Sequence, residues 1–234
     1  MCDMGFLKNF LRPGGNEGGA KAPAESFRGL SDEELDAHVG VSRYGEFQLT
    51  DAVRPAWGLE IVPRTGYRQE WFVDPDSGAR LPVLMVSVTR ERLFDVFIGL
   101  LEPLGDVVDV VLETSHQKVD GGHTDLFREQ IDMPVLQSVL YEFEDVLLND
   151  GCCGIAVMNA KRGLEVQFDE HKLLFLYGRR NLQSESILQS AHVPLVEDMQ
   201  FITEAEHVHI SSADLQQRFD QLCWRLGIER PFEE

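Results

Sequence analysis

Three short apolar segments follow one another in the second half of the chain, with only a few residues between them. They occupy residues 154–158, 164–168 and 172–177, and turn-forming residues lie at 159–163 and 169–171. Connections this short join antiparallel strands, whereas a parallel pair needs a crossover of about a dozen residues or more. The pattern therefore predicts an antiparallel meander and favours an α+β fold over a doubly wound parallel sheet.

Helical patterns flank this predicted meander. Apolar residues recur at helical spacing over residues 135–147 and again over 215–226, and residues 181–191 predict a shorter helix between them. Residues 199–202 and 207–210 have the composition of strands. The predicted order from residue 134 onward is α-β-β-β-α-β-β-α.

The region before the meander predicts the order β-β-β-α-β. Its strands are expected at residues 59–62, 68–73, 82–88 and 107–112, with a helix over 93–104. The strands on either side of this helix are expected to form a parallel pair. The whole pattern predicts an α+β fold with a mixed, mostly antiparallel sheet or sheets and helices packed on one face.

Four segments are expected along the chain. Residues 1–29 are rich in Gly, Pro and Ala and predict a flexible tail and linker, because they offer little apolar surface to bury. Residues 30–113 form a β-rich α+β region, 114–131 a long polar loop, and 132–234 a second α+β region. At the level of sequence, residues 30–113 and 132–234 form either two domains or one continuous domain.

The charge of the chain excludes several classes of partner. The sequence has 40 acidic and 21 basic residues, so its formal net charge is −19. Binding to a phosphate backbone depends on clustered Lys and Arg, so we expect no nucleic-acid partner.

No segment approaches the ~20 apolar residues that cross a bilayer, and we expect no membrane partner. Four cysteines, two of them adjacent, are poorly placed for a disulfide framework and indicate a reducing cytoplasm.

His207 and His209 are the most specific candidate residues. On a strand, residues i and i+2 project to the same side, so both imidazoles could bind one metal ion. Completing ligands are available nearby in sequence, namely His192, Asp198, Glu204 and Glu206. Such a site would leave a position open for water and hydrolysis. Two exposed histidines on a surface strand are the simpler interpretation.

A second candidate site lies in the predicted loop 114–131. His116, Asp120, His123 and Asp125, together with the preceding Glu113, could supply a general base or a set of metal ligands. A solvated hydrophilic loop explains the same residues, and loop polarity alone does not indicate function.

The sequence lacks the common catalytic signatures. It contains no phosphate-binding Gly-x-x-x-x-Gly-Lys-Ser/Thr loop, no Gly-x-Ser-x-Gly elbow, no His-Glu-x-x-His and no Cys-x-x-Cys. The predicted order of elements from residue 134 is similar to that of the acidic type III secretion chaperones. That resemblance implies binding of unfolded or extended polypeptide without catalysis.

The sequence therefore favours a soluble, cytoplasmic, non-catalytic protein-interaction or chaperone-like module. It predicts a protein partner and no cofactor, and it leaves the oligomeric state open, with a dimer as one option. The alternative is a metal-dependent hydrolase that binds a divalent metal through His207 and His209. A third option is a small-molecule sensor that uses the 114–131 loop as a lid.

Overall fold

The structure is a computed structural model that describes residues 25–73, 78, 80–116, 123–178 and 182–228. Within these ranges it contains six α-helices and eleven β-strands. The helices are α1 (Asp32–Val39), α2 (Arg90–Leu100), α3 (Met133–Glu142), α4 (Glu144–Asn149), α5 (Leu182–Ser190) and α6 (Ala213–Arg225). The strands are β1 (Arg43–Tyr44), β2 (Phe47–Gln48), β3 (Val53–Pro55), β4 (Gly66–Val73), β5 (Arg80–Ser87), β6 (Val107–Thr114), β7 (Thr124–Asp132), β8 (Cys153–Asn159), β9 (Leu164–Phe168), β10 (Leu174–Gly178) and β11 (His207–His209).

One seven-stranded sheet organises the fold, in the order β4-β5-β10-β9-β8-β6-β7. Every neighbouring pair in it is antiparallel. The α+β class and the β8-β9-β10 meander are therefore confirmed. The predicted parallel pair is wrong, because β10, β9 and β8 lie between β5 and β6.

The main core lies between this sheet and the helices. Phe97 of α2 and Phe168 of β9 are fully buried, and their ring centroids are 5.1 Å apart. The same cluster takes in Tyr67 of β4 and Leu222 of α6, so both halves of the chain contribute to one core. The N-terminal half supplies β4 and β5 to the same sheet that holds the meander.

The predicted loop 114–131 is wrong over its second half, where β7 pairs with β6 in a hairpin. β7 is an edge strand, and only Leu126 and Ile131 of its nine residues are buried. A register shift between Val108 and Val110, opposite Gln130 with its φ of 51°, adds a bulge. Because of the bulge, Leu126 and Ile131 both face the core although they are five residues apart. The alternation of apolar and polar residues that identifies a strand in a sequence is therefore lost.

Other element predictions also need correction. Residues 59–62 and 199–202 are not strands, and the helix predicted over 135–147 is divided in two at Phe143. The short strands β1, β2 and β3 were not predicted. The linker over residues 1–24, the turn over 74–77 and Asp120 lie outside the described residues.

A second, two-stranded sheet carries the candidate histidines. β11 pairs with β3 in antiparallel register, with His207 opposite Pro55 and His209 opposite Val53. Arg54 holds β3 in place, because its buried guanidinium donates to the carbonyl oxygens of Val39, Thr50 and Val53. No helix in the described part of the chain is long and apolar enough to cross a membrane.

Candidate metal centre

His207 and His209 lie on the same side of β11, as the sequence predicts. Their ring centroids are 5.2 Å apart. A third imidazole, His171, comes from the turn between β9 and β10 and lies 4.8 Å from the ring of His207 and 4.6 Å from that of His209. One ring nitrogen of each histidine lies within 4.8 Å of those of the other two. A tetrahedral zinc ion holds ligand nitrogens about 3.4 Å apart, so small side-chain movements would close the set.

Each of the three imidazoles is held by an oxygen acceptor at Nδ1. His171 Nδ1 lies 2.7 Å from Asp169 Oδ2. His207 Nδ1 lies 2.8 Å from the carbonyl oxygen of Ala205, and His209 Nδ1 lies 2.7 Å from that of Gly151. A carbonyl oxygen only accepts hydrogen bonds, so Nδ1 carries the proton and the lone pair is on Nε2. Metal-binding histidines are oriented in this way, and Nε2 is the ligand atom.

Burial keeps His209 neutral. Desolvation, followed by the neighbouring His171, lowers the pKa of His209 to about 3. A metal ion binds the neutral imidazole, so protons do not compete for this ligand at neutral pH.

Two carboxylates adjoin His171. Burial acts to raise the pKa of Asp169, but the interactions with His171 and with the backbone N–H of Leu173 hold it below its usual value. Asp169 is thus an anion that orients His171. Glu170 Oε1 lies 3.9 Å from His171 Nε2 and 3.6 Å from His123 Nε2, and burial raises the pKa of Glu170.

Glu113 of β6 is a further acidic residue, which lies close enough to Asp169 and Glu170 for their charges to raise its pKa. Burial, and then repulsion from Asp125, raises its pKa to about 7. Gln167 donates from its amide to both carboxylate oxygens of Glu113. A carboxyl group that titrates near neutrality is suited to accept and release protons.

No known family model matches this chain. The curated proteins and the solved structures likewise give no match. Its function is therefore inferred from the geometry of the site.

The ligands that the sequence offered to complete the centre have other neighbours. Glu204 binds Arg68 and the backbone N–H of Phe201, and Glu206 accepts from Ser26. Asp198 lies 3.6 Å from Arg64, and His192 follows the end of α5. The sequence does not identify His171 as a ligand, because residues 169–171 are predicted as a turn and lie far from His207 along the chain. The Asp-x-His pattern of Asp169 and His171 is the signal that could have found it.

The described residues of the second predicted site divide between two sets of neighbours. His116 is buried against Asp150, with 2.8 Å between Nε2 and Oδ2. His123 lies beside Glu170, and Asp125 lies opposite Glu113 in the β6–β7 hairpin.

A cavity of about 480 Å³ lies away from the three histidines. It is lined mainly by apolar side chains of the sheet, α2 and the segment after it, among them Trp71, Leu84, Leu100, Leu104, Leu164 and Leu176. His171 borders a different cavity of about 20 Å³, which has room for about one water molecule.

Proposed function

We propose that this chain binds a divalent transition metal through Nε2 of His171, His207 and His209, and that Zn²⁺ is the ion that suits this site best. One observation carries the proposal, namely that an oxygen acceptor holds Nδ1 of all three imidazoles. Neutral imidazoles are good ligands for zinc, and sites with three histidines are typical of catalytic zinc.

The activity proposed for this centre is hydrolysis. Three protein ligands leave a fourth position for water, and zinc lowers the pKa of bound water to about 7. Glu170 lies near His171 but outside the set of mutually close nitrogens, which suits a proton acceptor better than a fourth ligand. Zinc held by the three histidines would supply an activated water for this reaction. Glu170 would accept the proton of that water and return it to the leaving oxygen or nitrogen as its bond to the carbonyl carbon breaks.

The charges around the site favour a neutral or cationic substrate. Asp169 and Glu170 contact His171, and both of them, together with Asp125, act to raise the pKa of Glu113. Such a field repels phosphate esters and other anions. We therefore propose a carboxylic ester or amide as the scissile group.

Metal content tests the first part of this proposal. Untagged His171→Ala is expected to hold one equivalent of zinc less than the wild type, measured by elemental mass spectrometry. His192→Asn is the control, because His192 lies outside the centre and its φ of 54° suits asparagine. Equal zinc in His171→Ala and the wild type would overturn the metal centre.

Glu170→Gln tests the hydrolytic step. The amide cannot accept the proton, so kcat for a neutral aryl ester is expected to fall about 10²–10⁴-fold while the zinc content is unchanged. Steady-state kinetics of the zinc-loaded protein, measured beside Glu129→Gln on the exposed edge of β7, would show this. A variant as active as the wild type would remove Glu170 from the mechanism.

The protein-binding role favoured by the sequence stays a second proposal. Trp224 on α6 has 77% of its surface exposed, and large exposed aromatic residues are enriched at protein interfaces. Trp224→Ala would weaken such an interface without changing the zinc content, so the two functions can be separated.

A further inference from the structure

A second group of metal-ligating side chains lies beside the histidine centre but shares no residue with it. His116 follows the end of β6, and Asp150 and Cys152 lie between α4 and β8. A ring nitrogen of His116, a carboxylate oxygen of Asp150 and Sγ of Cys152 all lie within 4.8 Å of one another. Nitrogen, oxygen and sulfur donors in one small volume form a ligand set that zinc accepts.

The contact between His116 and Asp150 is close but lacks the alignment of a hydrogen bond. His116 Nε2 lies 2.8 Å from Asp150 Oδ2, yet Oδ2 is buried and has no hydrogen-bond partner among the described residues. The other oxygen, Oδ1, accepts from the backbone N–H of Cys152 at 3.0 Å. A fully buried carboxylate oxygen without a hydrogen bond is costly, and a bound cation would compensate it.

The surroundings of His116 favour Nε2 as the ligand atom. Its Nδ1 lies 2.7 Å from Thr114 Oγ1, which can accept a hydrogen bond from Nδ1–H. The lone pair is then on Nε2, next to Oδ2. Two such atoms repel each other unless a proton or a metal ion lies between them, and a metal ion would bind both.

We propose that His116, Asp150 and Cys152 form a second site for a divalent metal of the zinc class. Cys152 binds as the thiolate, and its proton passes to solvent when the metal binds. The fourth position is open to water or to Ser211, whose Oγ lies 3.4 Å from His116 Nε2. This site goes beyond the proposed hydrolytic centre and does not depend on it.

A nucleophilic role for Cys152 fits less well. Burial raises the pKa of the Cys152 thiol, and the nearby Asp150 carboxylate acts in the same direction. A reactive cysteine needs the opposite environment, with a cation or a helix N-terminus that stabilises the thiolate.

Gly151 connects the two sites through its backbone. The carbonyl oxygen of Gly151 binds His209 of the first centre, and the neighbours of Gly151 in sequence are Asp150 and Cys152 of the second. A Cβ at this position would collide with the backbone oxygen of Ala52 and would lie 2.8 Å from that of Ile210. Only glycine lets these backbone segments approach so closely, so the position between the two ligand sets does not accept a side chain.

Cobalt titration of the untagged, metal-free protein tests this site. Co²⁺ bound to a thiolate gives a charge-transfer band in the near ultraviolet, and Co²⁺ bound to imidazoles alone does not. We expect two cobalt ions per chain and a band that saturates with one of them. Cys152→Ser is expected to lose this band and one equivalent, whereas Cys153→Ala, which removes the adjacent thiol, keeps both.

His207→Ala separates this proposal from the proposed function, because it should lose the other equivalent and keep the band. If Cys152→Ser does not fold, slower alkylation of Cys152 in cobalt-loaded wild type, located by mass spectrometry, gives the same answer. A wild type without the band, a band that persists in Cys152→Ser, or alkylation unaffected by cobalt would each overturn the second site.

Discussion

Glu165 is a carboxyl group placed where a sheet normally has an apolar side chain. It lies on β9, is 2% exposed, and neither carboxylate oxygen has a hydrogen-bond partner in the described part of the chain. Burial, and then repulsion from Glu113, raises the pKa of Glu165 to about 8. The group is therefore mostly protonated in the folded protein at neutral pH, whereas it is ionised in the unfolded chain.

This difference makes stability depend on pH. The folded state holds a proton that the unfolded state has lost, so Glu165 makes the free energy of unfolding fall as pH rises from about 4.5 to about 8. The slope from this one group is up to about 1.4 kcal/mol per pH unit. Glu165→Gln should remove that slope and be more stable than the wild type at pH 8, measured by urea unfolding at several pH values. The control is Glu129→Gln on the edge strand, and an unchanged slope in Glu165→Gln would show that the carboxyl titrates normally.

The chain's elements differ in how far their sequences predict them. The β8-β9-β10 meander could be predicted because its turns are short and its strands are apolar. Edge strand β7 could not, because it buries only Leu126 and Ile131 and a bulge interrupts their spacing. The candidate site shows the same division. His207 and His209 share a strand, so their proximity is local, whereas His171 reaches them only through the tertiary fold.

Helix α2 supplies the aromatic side chain at the centre of the core. Phe97 is fully buried and contacts Phe168 of the sheet. Phe97→Ala should lower the free energy of unfolding by about 3–5 kcal/mol, because it removes apolar contact and leaves a cavity. Phe127→Ala on β7, where the ring is 40% exposed, should cost much less. Denaturant titration of both variants would test this, and equal losses would contradict the assignment of the core.

At the scale of the whole molecule, strands from residues before and after the β6–β7 hairpin belong to one sheet and one core. We therefore expect one cooperative unfolding transition, as in a single domain. Two single-tryptophan variants, one keeping Trp71 of β4 and the other keeping Trp224 of α6, would report on the two halves. Fluorescence midpoints in urea, corrected for each variant's stability by circular dichroism, should coincide with the loss of secondary structure. Separate midpoints would instead show two independently folding units.

The three histidines of the first centre come from two different sheets. His171 lies on the turn between β9 and β10 of the large sheet, and His207 and His209 lie on the small β3–β11 ribbon. A bound ion would therefore act as a cross-link between the large sheet and the small ribbon. Because the ion binds the folded state and not the unfolded chain, its binding raises the free energy of unfolding. The amide hydrogens of the ribbon are therefore expected to exchange faster once a chelator removes the ion.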